Sequence, residues 1–423
     1  MFKTKLLSAL VLFSMTLGCT RPEPQAGEDA KSTVERLTTQ APASDVAQAV
    51  AGLNEFTLTL NRNTTNAAKN VITSPASITT ALSMASAGAA GTTLDAFRST
   101  LNIGLPQEDF HAAMNTLDRA LASRGQGQQG TNGRPFKLAI VNQTFAQKGF
   151  RLEQGYLDLL ARQYGTGLKL LDFKTQPEPA RKSINAFVSY HTADLIPELL
   201  AEGIITADTR VVLANAVYFN ASWQSPFEKS ATSPGSFTLE GGSKVQVPLM
   251  RDGALPARSA TIAGVDVVEL PYQGNEVSML LMAPAAGQLA AFENSLDVAK
   301  LDSYLAALAP GQLEFSMPKF EIDLETMLSA PLQTQGLGVA FSSEADFSGM
   351  TGDRSLSISD VVHHAVIKVT EEGTEAAGAT AVVFGETSVP VTRPVRIDRP
   401  FVFFIRDNAT GALLFMGHVV DPR

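Results

Sequence analysis

Five histidines, His111, His191, His363, His364 and His418, are the side chains of this chain best suited to moving a proton near neutral pH. No two stand at the i, i+4 spacing by which one helix presents two imidazoles to a metal ion. The single cysteine, Cys19, stands far from all of them in sequence. A G-x-S-x-G turn, which would expose a serine as nucleophile, is absent. Carboxylates are plentiful, but no acidic pair stands apart from solvated faces. A dispersed Ser/His/Asp triad stays open, because triads assemble from distant positions. A hydrolase using His363 or His364 is therefore the weakest reading, and no enzyme, metal or cofactor is expected. "GQGQQG" (Gly125 to Gly130) matches a dinucleotide-binding glycine pattern. It follows a helix and precedes a strand, the reverse of the required context, and reads as a solvated loop.

A different kind of chemistry is suggested by "EEGTEAAGATAVVFGETSVPVTRP" (Glu371 to Pro394). Its middle, Ala376 to Phe384, has the small and β-branched composition of a strand buried on both faces. Yet Gly373 and Gly385 bracket it, and Pro390 and Pro394 follow, which is loop punctuation. No proline interrupts Gly373 to Ser388, so every amide there could join a ladder. Alternation sets Thr374, Ala376, Gly378, Thr380 and Val382 on one face and Glu375 on the other.

The elements that must position this segment are legible from periodicity. Apolar spacing predicts helices over 46–60, 77–90, 110–122, 153–164 and 179–200. Strands are expected over 137–146, 210–219, 236–239, 260–270, 277–282, 312–320, 364–369, 401–406 and 413–420. Helices dominate the first half and strands the second, an α+β arrangement in one domain over 46–423. At 44% hydrophobic and 18% charged, the chain has ample core. A net charge of −9 without a basic stretch excludes nucleic acid as a partner.

Residues 1–18 read as an export signal: Lys3 and Lys5, an apolar run from Leu6 to Leu17, then Gly18. The run is too short to span a bilayer. Cys19 directly after it resembles the lipidated first residue of a bacterial lipoprotein, although Thr16 stands where that signal prefers Leu. Anchoring to a bacterial membrane, outer membrane or cell surface favoured, is the expectation, with secretion if Cys19 carries no lipid. Residues 19–45, polar and rich in Pro, Gln, Ala and Ser, read as the anchor followed by a flexible tether.

Several long stretches, in fixed order, resemble the serpins, the serine protease inhibitor family. They are "NVITSPASITTALSMASAGAAGTT" (Asn70 to Thr93), "VVLANAVYFNASWQSPF" (Val211 to Phe227), "FSMPKFEID" (Phe315 to Asp323), "ADFSGM" (Ala345 to Met350), "VVHHAVIKVTEEGTEAAGATA" (Val361 to Ala381) and "DRPFVFFIRDNATGALLFMGHVVDP" (Asp398 to Pro422). The likeness covers about residues 46–423. It implies a large central β-sheet, further sheets, about eight or nine helices and an exposed reactive-centre loop over about 371–397.

The resemblance also implies a mechanism. A protease attacks the loop and forms an acyl-enzyme. The loop then inserts into the central sheet as a new strand and traps the enzyme in a covalent complex. Glu371, Gly373, Thr374, Glu375, Ala376, Ala377, Gly378, Ala379 and Thr380 are the implied hinge, small enough to slide between strands. Ser74, Ser77, Asn215 and His363 match a polar cluster beneath the sheet whose partners exchange as strands part. Counting along the loop at the family's usual length puts the reactive bond between Thr387 and Ser388; counting back from Arg399 gives Val389. Either suits an elastase-like or subtilisin-like protease with a shallow pocket. The partners implied are a target serine protease and, through lipid alone, a membrane, with the protein a monomer. A serpin acting as a substrate or binding module without inhibition is the alternative.

Overall fold

The structure, a computed structural model, describes residues 21–64, 68–126, 136–374 and 392–423. Within it, Val211–Ser222 is buried at every position, as its uncharged, β-branched sequence requires of a strand covered on both faces. It lies inside a seven-stranded sheet built from β1 (Glu28–Ala30), β2 (Lys137–Gln147), β3 (Leu168–Leu171), β4 (Val211–Ser222), β5 (Phe320–Met327), β6 (Asp360–Thr370) and β7 (Gly373–Thr374). Their order in space is β1–β3–β2–β4–β7–β6–β5. A second sheet of nine strands includes Val277–Ala283, Phe401–Asp407 and Leu413–Val419, buried at nearly every position.

The helices that matter for the site are α1 (Ala43–Thr64), α2 (Pro75–Ser86), α3 (Gln107–Ala122), α4 (Gln154–Leu159) and α5 (Pro177–His191). Among the described residues eight α-helices have six residues or more, and two others are single four-residue turns. α2 begins with Pro75 in its first turn, where a missing amide costs nothing. Eleven of its twelve residues are buried. Alanines and serines let it pass close beneath the first sheet. Ser83 and Ser86 donate back to the Thr79 and Ser83 carbonyls, at 2.7 and 2.8 Å, so their hydroxyls are satisfied inside the core.

α5 covers the outer face of the first sheet. Phe187 and Val188 pack with Val212, Ala214 and Ala216 of β4. The helix expected to run to residue 200 ends at His191. Ala193 and Asp194 turn left-handed, with φ of 54° and 61°, and Pro197 could not have continued a helix. The chain folds back instead, and Asn185 Oδ1 accepts the Leu199 and Leu200 amides at 3.1 and 2.9 Å. Leu195, Ile196, Leu199 and Leu200 keep helical spacing, which is why periodicity overran the end.

A second correction concerns the expected tether. Residues 21–42 are docked on the fold, Ala26 is 1% exposed, and α1 starts at Ala43. The segment is ordered by partners its own composition does not reveal: an open strand edge and several polar side chains of the domain.

Candidate functional site

β4 and β6 run parallel and paired from Val212 opposite Asp360 to Tyr218 opposite Val366. Beyond that point they part, and β7 enters between them. Gly373 pairs with Thr370 on one side and Ser222 on the other; Thr374 pairs with Val369 and Ala221. Gly373 has φ +146°, and a Cβ there would stand 2.1 Å from the Ala221 carbonyl oxygen. Only glycine fits so close to a neighbouring backbone. Thr374 is fully buried, with its Oγ1 2.8 Å from the Tyr272 hydroxyl. The Tyr272 ring stacks on Trp223, centroids 4.5 Å apart and planes 13° from parallel. Trp223 donates its indole N–H to the Thr370 carbonyl at 3.0 Å and its amide to Glu372 at 3.0 Å.

The residues just before β7 are pinned by charge. Glu371 meets the Lys319 ammonium at 3.0 Å and accepts from Thr232 Oγ1 at 2.8 Å. Burial works to raise its carboxyl, yet a backbone N–H, Lys319 and Thr232 together hold it below the usual range. Glu372 pairs with Lys229. Two adjacent buried carboxylates are thus neutralised by lysines from separate elements.

Midway along the same seam lies a polar cluster. The Ser74 amide donates to His363 Nε2 at 3.0 Å, so the ring proton sits on Nδ1, which donates to Asn215 Oδ1. Asn215 Nδ2 donates to Ser77 Oγ at 2.6 Å and to Asn142 Oδ1. Ser77 Oγ closes the circuit onto Asn142 Oδ1 at 3.0 Å. The four residues expected from sequence are therefore brought together. Ser74 joins through its amide, while its hydroxyl turns away to the Leu414 carbonyl at 2.7 Å. His364 faces the opposite side of the sheet, with Nε2 2.5 Å from Asp323.

Sequence reasoning missed Asn142 and Tyr272. Asn142 had a signal, an amide inside the apolar strand sequence "AIVNQTFA" (Ala139 to Ala146). Tyr272 had none: 102 positions separate it from the hydroxyl it meets. Of the expected hinge, Glu371, Gly373 and Thr374 are placed as above. Glu375, Ala376, Ala377, Gly378, Ala379 and Thr380 lie outside the described residues, as do Thr387, Ser388, Val389 and Cys19.

Burial gives the cluster a pH signature. It lowers His363 to about 3, with the neighbouring His364 charge adding to the effect. It lowers His111, buried on α3 against Tyr164, to about 4. Unfolded histidine binds its proton near pH 6.5, so below that pH the unfolded chain takes up protons the folded chain refuses. Stability is full above pH 6.5 and falls by about 1.4 kcal/mol per pH unit for each histidine. Urea midpoints between pH 7.5 and 4.5 should show this acid slope, and His111→Gln should roughly halve it. An unchanged slope in the variant would show that His111 is not the group titrating.

Comparison with known proteins fits this geometry. The family model described as Serpin (serine protease inhibitor) matches residues 51–422. The chain is a serpin. It is 36% identical over 359 residues to Iripin-8 of Ixodes ricinus, covering 83% of this chain and 87% of that one. It is 34% identical over 388 residues to the leukocyte elastase inhibitor of Sus scrofa, covering 89% of this chain and all of the relative. Among solved structures it superposes on the native thermophilic serpin tengpin with a TM-score of 0.81, at 24% identity over 93% of this chain and 97% of that one. Human thyroxine-binding globulin gives 0.79 at 27% identity, over 89% and 99%. Serpins form complexes with target proteases, and several relatives of this serpin bear the name of protease inhibitors.

Proposed function

We propose that this serpin inhibits elastase-like or subtilisin-like serine proteases by covalent trapping, with cleavage at Thr387–Ser388 or after Val389. One observation carries the reading. Gly373 and Thr374 already lie between β4 and β6, antiparallel to both, at the point where those parallel strands separate. Each further residue inserted would exchange one parallel pairing for two antiparallel ones, which are slightly more stable per residue. Continued along β6 and β4, the register of Thr374 would bring Thr380 opposite both His363 and Asn215. A hydroxyl would then arrive where the His363–Asn215 hydrogen bond has to open. Elastase inhibitors among the relatives support the choice of target class.

The likeness to thyroxine-binding globulin favours the second reading, a serpin that binds a ligand or serves as substrate without inhibiting. One experiment separates the two. The protein is mixed with an elastase and with a subtilisin, run on denaturing gels, and the released C-terminal peptide is weighed. A denaturant-resistant band at the summed mass supports trapping, and the first residue of the peptide identifies the bond. Clean cleavage without that band, across a broad protease panel, would leave the binding module. We further propose that the protein is exported as a monomer and lipid-anchored at Cys19, outer membrane or cell surface favoured. Recovery of unmodified Cys19 in the exported protein would overturn the anchor.

A further inference from the structure

Cys19, the residue proposed above to carry lipid, precedes Arg21 by two positions, and Arg21 already rests on the fold. Its Nη1 donates to both Asp194 carboxylate oxygens, at 2.9 and 3.0 Å. Glu23 meets His191 Nε2 at 3.1 Å, at the C-terminal end of α5. Those pairs are exposed and contribute little individually. The firm hold begins at Ala26, buried with Leu171 and Ala180 between the first sheet and α5. Gly27 follows with φ +90°, and a Cβ there would stand 2.5 Å from the Leu170 carbonyl oxygen.

A chain spans at most about 3.5 Å per residue, so Cys19 stands within about 7 Å of Arg21. With the exposed pairs open, it would still stand within about 25 Å of Ala26. A tether free up to the start of α1 at Ala43 would reach about 85 Å. Docking therefore turns a long leash into a short one. The place where the leash meets the fold then decides which face lies nearest the lipid.

That place is one broad face of the first sheet. Glu23, Phe187 and His191 line a cleft with Val141 of β2. Val141 pairs with Ala216, midway along β4. β7 enters opposite Ala221, about 17 Å further along the same strand. The surface here carries no basic cluster: Glu23, Asp194, Glu198 and Glu202 stand exposed beside Arg21 and Lys182. Its closeness to lipid would come from the short leash, not from attraction to anionic headgroups.

We infer that the lipid anchor holds this serpin face down, with the outer surface of α5 and the chain that follows it against the membrane. The inference rests on the anchor proposed above. The strands of the first sheet then run along the bilayer, and the end of the sheet where β7 enters lies beside the lipid surface. The proteases within reach are those at the membrane.

The test uses the full mature chain, lipidated and reconstituted in vesicles of phosphatidylethanolamine and phosphatidylglycerol. Cys19 is the only cysteine and its thiol carries the lipid, so one introduced cysteine can be labelled alone. Lys182→Cys places a fluorophore on the exposed side of α5. Ser303→Cys places it on the helix Val298–Ala307, whose Leu301 and Tyr304 pack in the core on the other side of the first sheet. Energy transfer to a headgroup acceptor is read for each. The Lys182→Cys probe should transfer several-fold more strongly than the Ser303→Cys probe, which stands about 50 Å away across a body of this size. Ala26→Asp puts a charge into the apolar layer, undocks the segment and should erase most of that difference. Equal transfer from both sides of a chain shown by mass to be lipidated at Cys19 would overturn the orientation alone. So would a difference that survives Ala26→Asp unchanged. A free Cys19 thiol in the exported protein would remove the anchor and the orientation with it.

Discussion

Thr374→Arg is expected to turn this serpin from a trap into a substrate. Thr374 is fully buried between β4 and β6, and its hydroxyl meets Tyr272. A guanidinium brings five N–H donors and a full charge against the single Tyr272 oxygen and would be buried largely unpaired, at a cost of several kcal/mol. The variant hinge is therefore expected to leave the cleft in the uncleaved protein, so that the cost returns when the loop inserts. If about 3 kcal/mol falls on that step, insertion slows by roughly a hundredfold. Hydrolysis of the acyl-enzyme does not involve Thr374 and keeps its rate. The cleaved product then outruns the trapped one. The measurement is the molar ratio of inhibitor consumed per subtilisin inactivated, with the initial cleavage rate as a check on binding. The ratio should rise at least about tenfold while the cleavage rate holds. Thr374→Val, which removes only the Tyr272 hydrogen bond at about 1 kcal/mol, should still trap. Undiminished trapping by Thr374→Arg would exclude insertion through this hinge.

The second large effect is on stability after cleavage. Seven parallel pairs, Asp360 to Val366 with Val212 to Tyr218, hold the seam closed below β7. A full-length inserted strand replaces them with two antiparallel ladders. The gain is about ten net hydrogen bonds at about 1 kcal/mol each, which raises the melting temperature by about 12 °C for a domain of this size. The comparison is a melting curve of intact protein against protein nicked in its loop by a protease it does not trap. Equal melting temperatures would mean that the loop stays outside the sheet, and the trapping mechanism would lose its driving force.

Both effects depend on contacts that differ in how far apart they lie along the chain. The hinge composition from Gly373 onward and the absence of proline up to Ser388 are local properties, and they suffice to suggest a strand that must slide into place. The helices over Phe110–Ala122 and Glu153–Tyr164 are equally local and appear where periodicity sets them. Other features misled because they depend on neighbours. The leucines at 195, 199 and 200 keep helical spacing, but Asn185, more than ten positions upstream, captures the backbone of Leu199 and Leu200 and folds them back over β4. The polar composition of residues 21–42 signals weak self-association, and says nothing of the free edge on β3 that orders it.

The sequence by itself determined the α+β class, from composition and period. Its long motifs in order implied, by resemblance to the serpins, that Ser74, Ser77, Asn215 and His363 form one polar set and that the segment from Gly373 is a hinge able to join a sheet. Only the tertiary structure decided that Thr374 is already seated against Tyr272, that Asn142 completes the polar circuit, and that Glu371 and Glu372 rest on Lys319 and Lys229. The pairing of β1 with β3 and the burial of Ala26 belong with them. A hydrogen bond between residues a hundred positions apart leaves no periodic mark on the chain, because its geometry exists only once the strands that carry the two groups have paired.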